Sequence, residues 1–195
     1  MEIKNSIYFE KEINFIQSED LRMFMIFYLD KYVPQYFFEI GASSSGKYHP
    51  KFSQGIGGLV RHTKAVSLVA EELLRMSPYM YSTDEQKDLI RVACIAHDTA
   101  KYGKTEFDKK LYKEHAENAG ELVSQAWKDY FKENCPYLLI NAISAHMGQW
   151  GKTKMMTSLD RCVHQADYVA SRPFFDVPTV IDEWLIAEKI VKGKI

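Results

Sequence analysis

DLIRVACIAHDTAKYGK, residues 88–104, sets His97 beside Asp98 late in an apolar run of helical spacing, with Lys101 three positions further on. Two metal-competent side chains therefore stand where a core normally holds hydrocarbon. An ionised aspartate buried without a partner is strongly destabilising, so it needs a metal, a cation or a proton. His62, His115, His146 and Asp167 are candidates for the same site, which makes a metal centre the leading reading.

The helical period runs through nearly the whole chain. Residues 19–33 cluster apolar side chains at intervals of three and four, and the face Leu59, His62, Val66, Val69, Leu73 repeats between Gly58 and Arg75. Ser82-Thr83-Asp84-Glu85 offers a capping box for a helix reaching about Ala100, with Gly103 as its stop. A helix at about 113–133 carries His115, Ala119, Leu122 and Ala126 on one stripe, and Pro136 suits the first turn of a helix ending near His146. Thr157 with Asp160 caps another through Ala170, and Pro178 precedes a last one at about 179–191. Strand-like alternation is nearly absent. The expected fold is all-α, a helical bundle with a metal site in its core.

The stretch GASSSGKYHPKFSQGIGG, residues 41–58, reads as a long loop. Its GASSSG opening is no phosphate-binding loop, since Lys47 is followed by Tyr48 and no strand precedes it. No linker divides the 195 residues, so one domain is expected over 1–195.

With 46 % hydrophobic and 26 % charged residues, the composition is that of a soluble globular protein. A net charge of −1 gives no case for an extended nucleic-acid surface or a membrane surface. Cys94, Cys135 and Cys162 are odd in number and lack CxxC spacing, which suits reduced core thiols. The opening residues carry acidic charges without the apolar run of a signal peptide, and no stretch is long enough to span a bilayer. A cytoplasmic location is expected.

Each candidate ligand falls on the inward side of its own predicted helix. His62 shares a face with Val66, His97 follows Ile90 and Ala93, His115 leads Ala119, His146 follows Ala142 and Ile143, and Asp167 follows Val163 by four. Any one such histidine could be an ordinary hydrogen-bonded core residue. Five coincidences favour a shared metal site, because helices of a bundle can aim such groups at one point.

The order His62, His97-Asp98, Asp167 resembles the H…HD…D framework of the HD-domain superfamily of metal-dependent phosphohydrolases. GGLVRHTKAV, HDTAKYGK and HQADYVAS are similar to its first-histidine, HD and final-aspartate helices, and the resemblance spans about residues 55–172. It implies that His62, His97, Asp98 and Asp167 hold one divalent ion, and that His115 and His146 match the extra ligands of dinuclear members. Four neutral imidazoles and two carboxylates leave two divalent ions with excess positive charge. That excess invites a bridging hydroxide and an anionic substrate, with Asp98 placed to bridge the metals. Mixed nitrogen and oxygen donors suit two divalent metal ions drawn from Fe, Mn, Co, Ni or Zn.

The implied activity is hydrolysis of a phosphate ester or phosphodiester, in a nucleotide, by a metal-bound hydroxide. Asp98 and Lys101 are the expected catalytic residues, and a small anionic substrate the expected partner. A minority of the superfamily uses the same six ligands in a mixed-valent di-iron oxygenase, which stands as the alternative. A regulatory nucleotide-binding module fits less well, because the ligand set is complete.

Lys101 lies one helical turn beyond Asp98, where an ammonium can hold a phosphate; replacing it by Met is expected to leave folding nearly unchanged. Arg61 adjoins a ligand but points about 100° away from it. His164 could orient Asp167 or equally be a structural histidine, and His49 could line an entrance. Gln149 and Trp150 could wall the pocket, with ordinary packing the expectation for Trp150.

Overall fold

The computed structural model describes residues 4–43, 49–76 and 78–193; the middle of the 41–58 loop, including Lys47 and Tyr48, lies outside the described residues. Among the described residues there are eight α-helices and no strand: α1 (Glu10–Ile13), α2 (Glu19–Lys31), α3 (Gly58–Leu74), α4 (Asp84–Ala96), α5 (His115–Phe131), α6 (Tyr137–Ser144), α7 (Ser158–Ala170) and α8 (Thr179–Val191). The fold is all-α. No helix among the described residues is long and apolar enough to cross a membrane.

The helix starts follow local chemistry. Thr83 and Gln86 form the capping box of α4, one residue on from the expected Ser82–Glu85 pair. Thr157 and Asp160 cap α7 as expected. Pro136 is the N-cap of α6, outside its first turn. Asp160 also accepts from the Asn141 side chain at 2.7 Å, fastening α6 to α7 through a buried carboxylate.

Three helix boundaries differ from the sequence reading, and each sits at a candidate ligand. α4 stops at Ala96, so His97 and Asp98 lie just beyond it, where a helix to about Ala100 was expected. Side chains compete there for the terminal carbonyls: His97 Nδ1 donates to Cys94 O at 2.8 Å, and the Thr99 hydroxyl to Ala96 O at 2.8 Å. The chain continues in turns, with Thr99 N to Ala96 O, Lys101 N to Asp98 O and Gly103 N to Ala100 O. α6 ends at Ser144, short of His146. α5 begins at His115 itself, after a 3-10 turn over Lys109–Glu114. His97, Asp98 and His146 thus project from turns, while His62 and Asp167 project from helix interiors.

α3 packs against α7 and α4, α4 against α6 and α7, and α6 against α5 and α7, so that α4 runs through the centre. Its Ile90, Ala93, Cys94 and Ile95 are fully buried or nearly so. α2 closes one side by setting Phe24 against Trp127 and Phe131 of α5, with ring centroids 5.0 and 5.6 Å apart. Burying such a ring contributes about 1.5–3 kcal/mol. The Asp88 carboxylate caps the amides of Gln17 and Ser18, at 2.9 and 2.8 Å, joining the N-terminal segment to α4. α8 returns across α3, and Gly57 makes room for it: a Cβ there would lie 2.2 Å from the Trp184 ring, at a φ of 69°.

Two tyrosines from this outer layer hold the turn that carries Asp98. Tyr28 OH is 2.5 Å from Thr99 Oγ1 in a buried hydrogen bond. Tyr36 OH donates to Gly103 O at 2.5 Å and accepts from Tyr102 N at 3.0 Å. The turn is anchored at both ends without a helix to carry it.

Candidate metal centre

All six side chains expected as ligands converge. His62 Nε2, from α3, is 3.0 Å from Asp167 Oδ1 of α7. His97 Nε2 is 3.9 Å from the same Asp167 oxygen and 3.6 Å from Asp98 Oδ2. The other Asp98 oxygen, Oδ1, faces His115 Nε2 at 3.3 Å and His146 Nε2 at 3.8 Å. The side chains fall into two overlapping groups, His62–His97–Asp98 and Asp98–His115–His146, each with donor atoms mutually within 4.8 Å. Asp98 belongs to both, and all five residues are buried.

The backbone sets the tautomers. His97, His115 and His146 each place Nδ1 on the carbonyl three residues earlier, Cys94 at 2.8 Å, Tyr112 at 2.6 Å and Ile143 at 2.8 Å. A carbonyl only accepts, so each Nδ1 carries the proton and each neutral ring turns its Nε2 lone pair inward. His115 Nε2 and His146 Nε2 then meet at 3.1 Å as two acceptors. A cation between them, a proton or a metal ion, resolves that repulsion.

Protonation is unfavourable at His146 and at His97. Burial, aided by the neighbouring imidazoles, pushes His146 down to about 3, and burial lowers His97 as well. Burial alone would raise the Asp98 carboxyl, but the Lys101 ammonium outweighs it and holds it well below the usual carboxylate range. Asp167 is likewise held low, because the hydrogen bond to His62 overcomes its desolvation. His97 and His146 are thus neutral imidazoles and Asp98 and Asp167 ionised carboxylates, the forms that bind a metal. His97 Nε2 and Asp98 Oδ1 are buried without a hydrogen-bond partner. The residues present fit a divalent ion.

Lys101 is buried and pairs with Asp98 Oδ2 at 2.6 Å. It lines a cavity of about 130 Å³ together with Asp98, His115, His146 and Asp167. His49 also lines this cavity, its ring 5.1 Å from that of His62, and burial lowers it to about 3.

Two sequence expectations, for Trp150 and Gln149, need correction, and two others are decided. His164 takes the structural role: its Nδ1 donates to His146 O at 2.7 Å and braces that turn. Arg61 holds the loop before α3, donating to the carbonyls of Phe52, Gln54 and Ile56 and lying 4.7 Å over the Trp184 ring. Trp150 is 62 % exposed and lines the cavity, so it is not ordinary packing, while Gln149 is exposed and outside the lining.

Sequence reasoning missed Tyr112, Tyr168 and Arg172, which also line the cavity. Tyr168 follows Asp167 directly and Arg172 lies four residues beyond it, a pairing the sequence offered. Tyr112 carried no such signal.

The HD-domain family model matches residues 59–172, more than half of the chain. No curated protein and no solved structure matches it. HD-domain proteins bind divalent metals and are mostly metal-dependent hydrolases. With the H…HD…H…H…D side chains gathered at one buried point, this chain belongs to the HD-domain family.

Proposed function

We propose that the protein is a metal-dependent phosphohydrolase that cleaves a phosphate ester or phosphodiester bond of a nucleotide, using two divalent ions. One observation carries the reading: His115 Nε2 and His146 Nε2 face each other 3.1 Å apart in a buried site, each with its Nδ1 proton on a backbone carbonyl, and burial opposes a proton on His146. His115, His146 and Asp98 would hold one ion, and His62, His97, Asp98 and Asp167 the other. Each oxygen of Asp98 faces a different histidine group, which supports a bridging role. Ions held there supply a bound water of lowered pKa and polarise a phosphoryl oxygen.

The chain's own groups do the rest. Two carboxylates against two divalent ions leave the site positive, which favours an anionic substrate. Lys101 Nζ, at the cavity wall, adds an ammonium that can hold a nonbridging phosphoryl oxygen as charge develops. The backbone carbonyls of Cys94, Tyr112 and Ile143 fix the ligand rings before substrate arrives.

The test is a panel of phosphomonoesters and phosphodiesters, assayed for product with added Mn under argon, beside oxygen uptake with reduced iron. Phosphoester cleavage under argon is expected. Oxygen consumption coupled to substrate oxidation, with no phosphoester cleaved, would replace this reading by the di-iron oxygenase.

A further inference from the structure

The cavity beside the ligand set holds about 130 Å³. Sites that enclose a whole small ligand run to roughly 300–1,000 Å³. A phosphoryl group fits inside, but the remainder of a nucleotide must lie at the mouth. What stands there is aromatic. Trp150 is 62 % exposed and Tyr168 42 % exposed; their rings are parallel within 3°, with centroids 6.4 Å apart. The Arg172 guanidinium lies 4.1 Å from the Tyr168 centroid, and all three side chains line the same cavity as Asp98 and Lys101.

The exposure is not that of a loose loop. Trp150 sits in the 3-10 turn Gly148–Trp150, which starts two residues after His146. Gly148 has a φ of 57°, and a Cβ on it would lie 2.5 Å from the His164 ring. His164 in turn donates to His146 O, so the Trp150 turn is clamped to the helix that carries Tyr168. Beyond Trp150, Thr153 Oγ1 donates to Glu117 of α5 at 3.1 Å. Two large rings are thus held in one orientation beside the phosphate end of the pocket, Trp150 largely uncovered and Tyr168 with the Arg172 guanidinium over one face.

We propose that Trp150 and Tyr168, with Arg172 beside them, form a stacking subsite for the nucleobase of the substrate. The subsite rests on the phosphohydrolase reading for what occupies the cavity, but its stacking step does not. Parallel aromatic faces accept any planar base, and the guanidinium adds a cation at the rim. The substrate enters phosphoryl group first, so the subsite selects on the group being released. It acts by binding, upstream of the chemistry.

The intact chain is titrated with adenosine and with adenosine monophosphate while tryptophan fluorescence is followed. Quenching is expected in the wild type and its loss in Trp150→Phe, which leaves Trp127 and Trp184 as background. In parallel, kcat/KM is compared for adenosine monophosphate and ribose 5-phosphate. Trp150→Ala should lower the ratio of the two roughly tenfold or more, mainly through KM, the scale of one lost base–aromatic stack, and Trp150→Phe should restore most of it. Quenching that survives in Trp150→Phe, or a ratio unchanged in Trp150→Ala, would overturn the subsite. Quenching by adenosine without cleavage of any phosphomonoester or phosphodiester would leave the subsite standing and remove the phosphohydrolase reading instead.

Discussion

Lys101 Nζ lies 2.6 Å from Asp98 Oδ2, both side chains being almost fully buried. One ammonium thus shares a carboxylate with the proposed metal centre. This changes what removing it should do. From its position alone, Lys101→Met was expected to spare folding. The buried pair says otherwise, because Asp98 would keep its charge in the core with one compensating cation fewer.

Lys101→Met should therefore destabilise the chain by about 3–5 kcal/mol in the presence of a chelator, the range for breaking one side of a buried pair. Added divalent metal should recover part of that loss, so the rise in Tm on metal addition should exceed that of the wild type. The metal-loaded variant should still lose roughly 10²–10³-fold in kcat/KM, as for one well-placed electrostatic donor. Equal Tm gains in the two proteins would show that Lys101 does not share Asp98 with the metal.

Gly148→Ala tests the brace behind His146. The substitution forces a side chain into a φ of 57° and against the His164 ring. It should cost about 1–3 kcal/mol in urea unfolding, and it should lower metal occupancy by disturbing the hydrogen bond from His164 to His146 O. A variant as stable and as fully loaded as the wild type would mean the turn has room to relax.

Alkaline pH should weaken the fold through its thiols. Burial raises Cys94 well above its ordinary value and pushes Cys135 and Cys162 up to about 12. In the unfolded chain each thiol ionises near about 8.5, so above that pH the unfolded state gains free energy that the folded state does not. Stability attributable to each protonated thiol is complete below about pH 8.5 and falls by about 1.4 kcal/mol per pH unit above it, up to the folded pKa. Urea midpoints measured across this range should drop, and replacing Cys162 by Ala should flatten the slope. A flat profile would contradict the buried, protonated assignment.

The architecture and the identity of the clustered side chains were largely legible in the sequence, because both depend on periodicity and residue type. The three-and-four spacing gave α3, α5 and α7, and Thr157 with Asp160 marked a cap that forms as expected. The helix ends next to the ligands were not legible. His97 and His146 leave their helices by bonding the carbonyl three residues back, a local competition that composition cannot reveal. His164 reads equally as a partner of Asp167 or as a structural histidine, because sequence distance hides what a side chain reaches. Arg61 turns to the loop carbonyls and His164 to the main chain of the neighbouring turn. Trp150 was read as packing, since nothing in AHMGQWG foretells that Gly148 bends its ring outward beside Tyr168.

The two histidine groups can be separated by metal count. His115→Ala or His146→Ala should retain the ion assigned to His62, His97 and Asp167, bringing two ions per chain down to one. A wild type that saturates at a single ion under excess Mn or Fe would assign His115 and His146 to substrate instead.

The most direct measurement is metal content, by elemental analysis, of the wild type and Asp98→Ala purified without added metal. Asp98 faces both histidine groups, so the account predicts bound divalent metal in the wild type and loss of both ions with activity in Asp98→Ala. Full metal content and normal turnover in Asp98→Ala would contradict the assignment of this site.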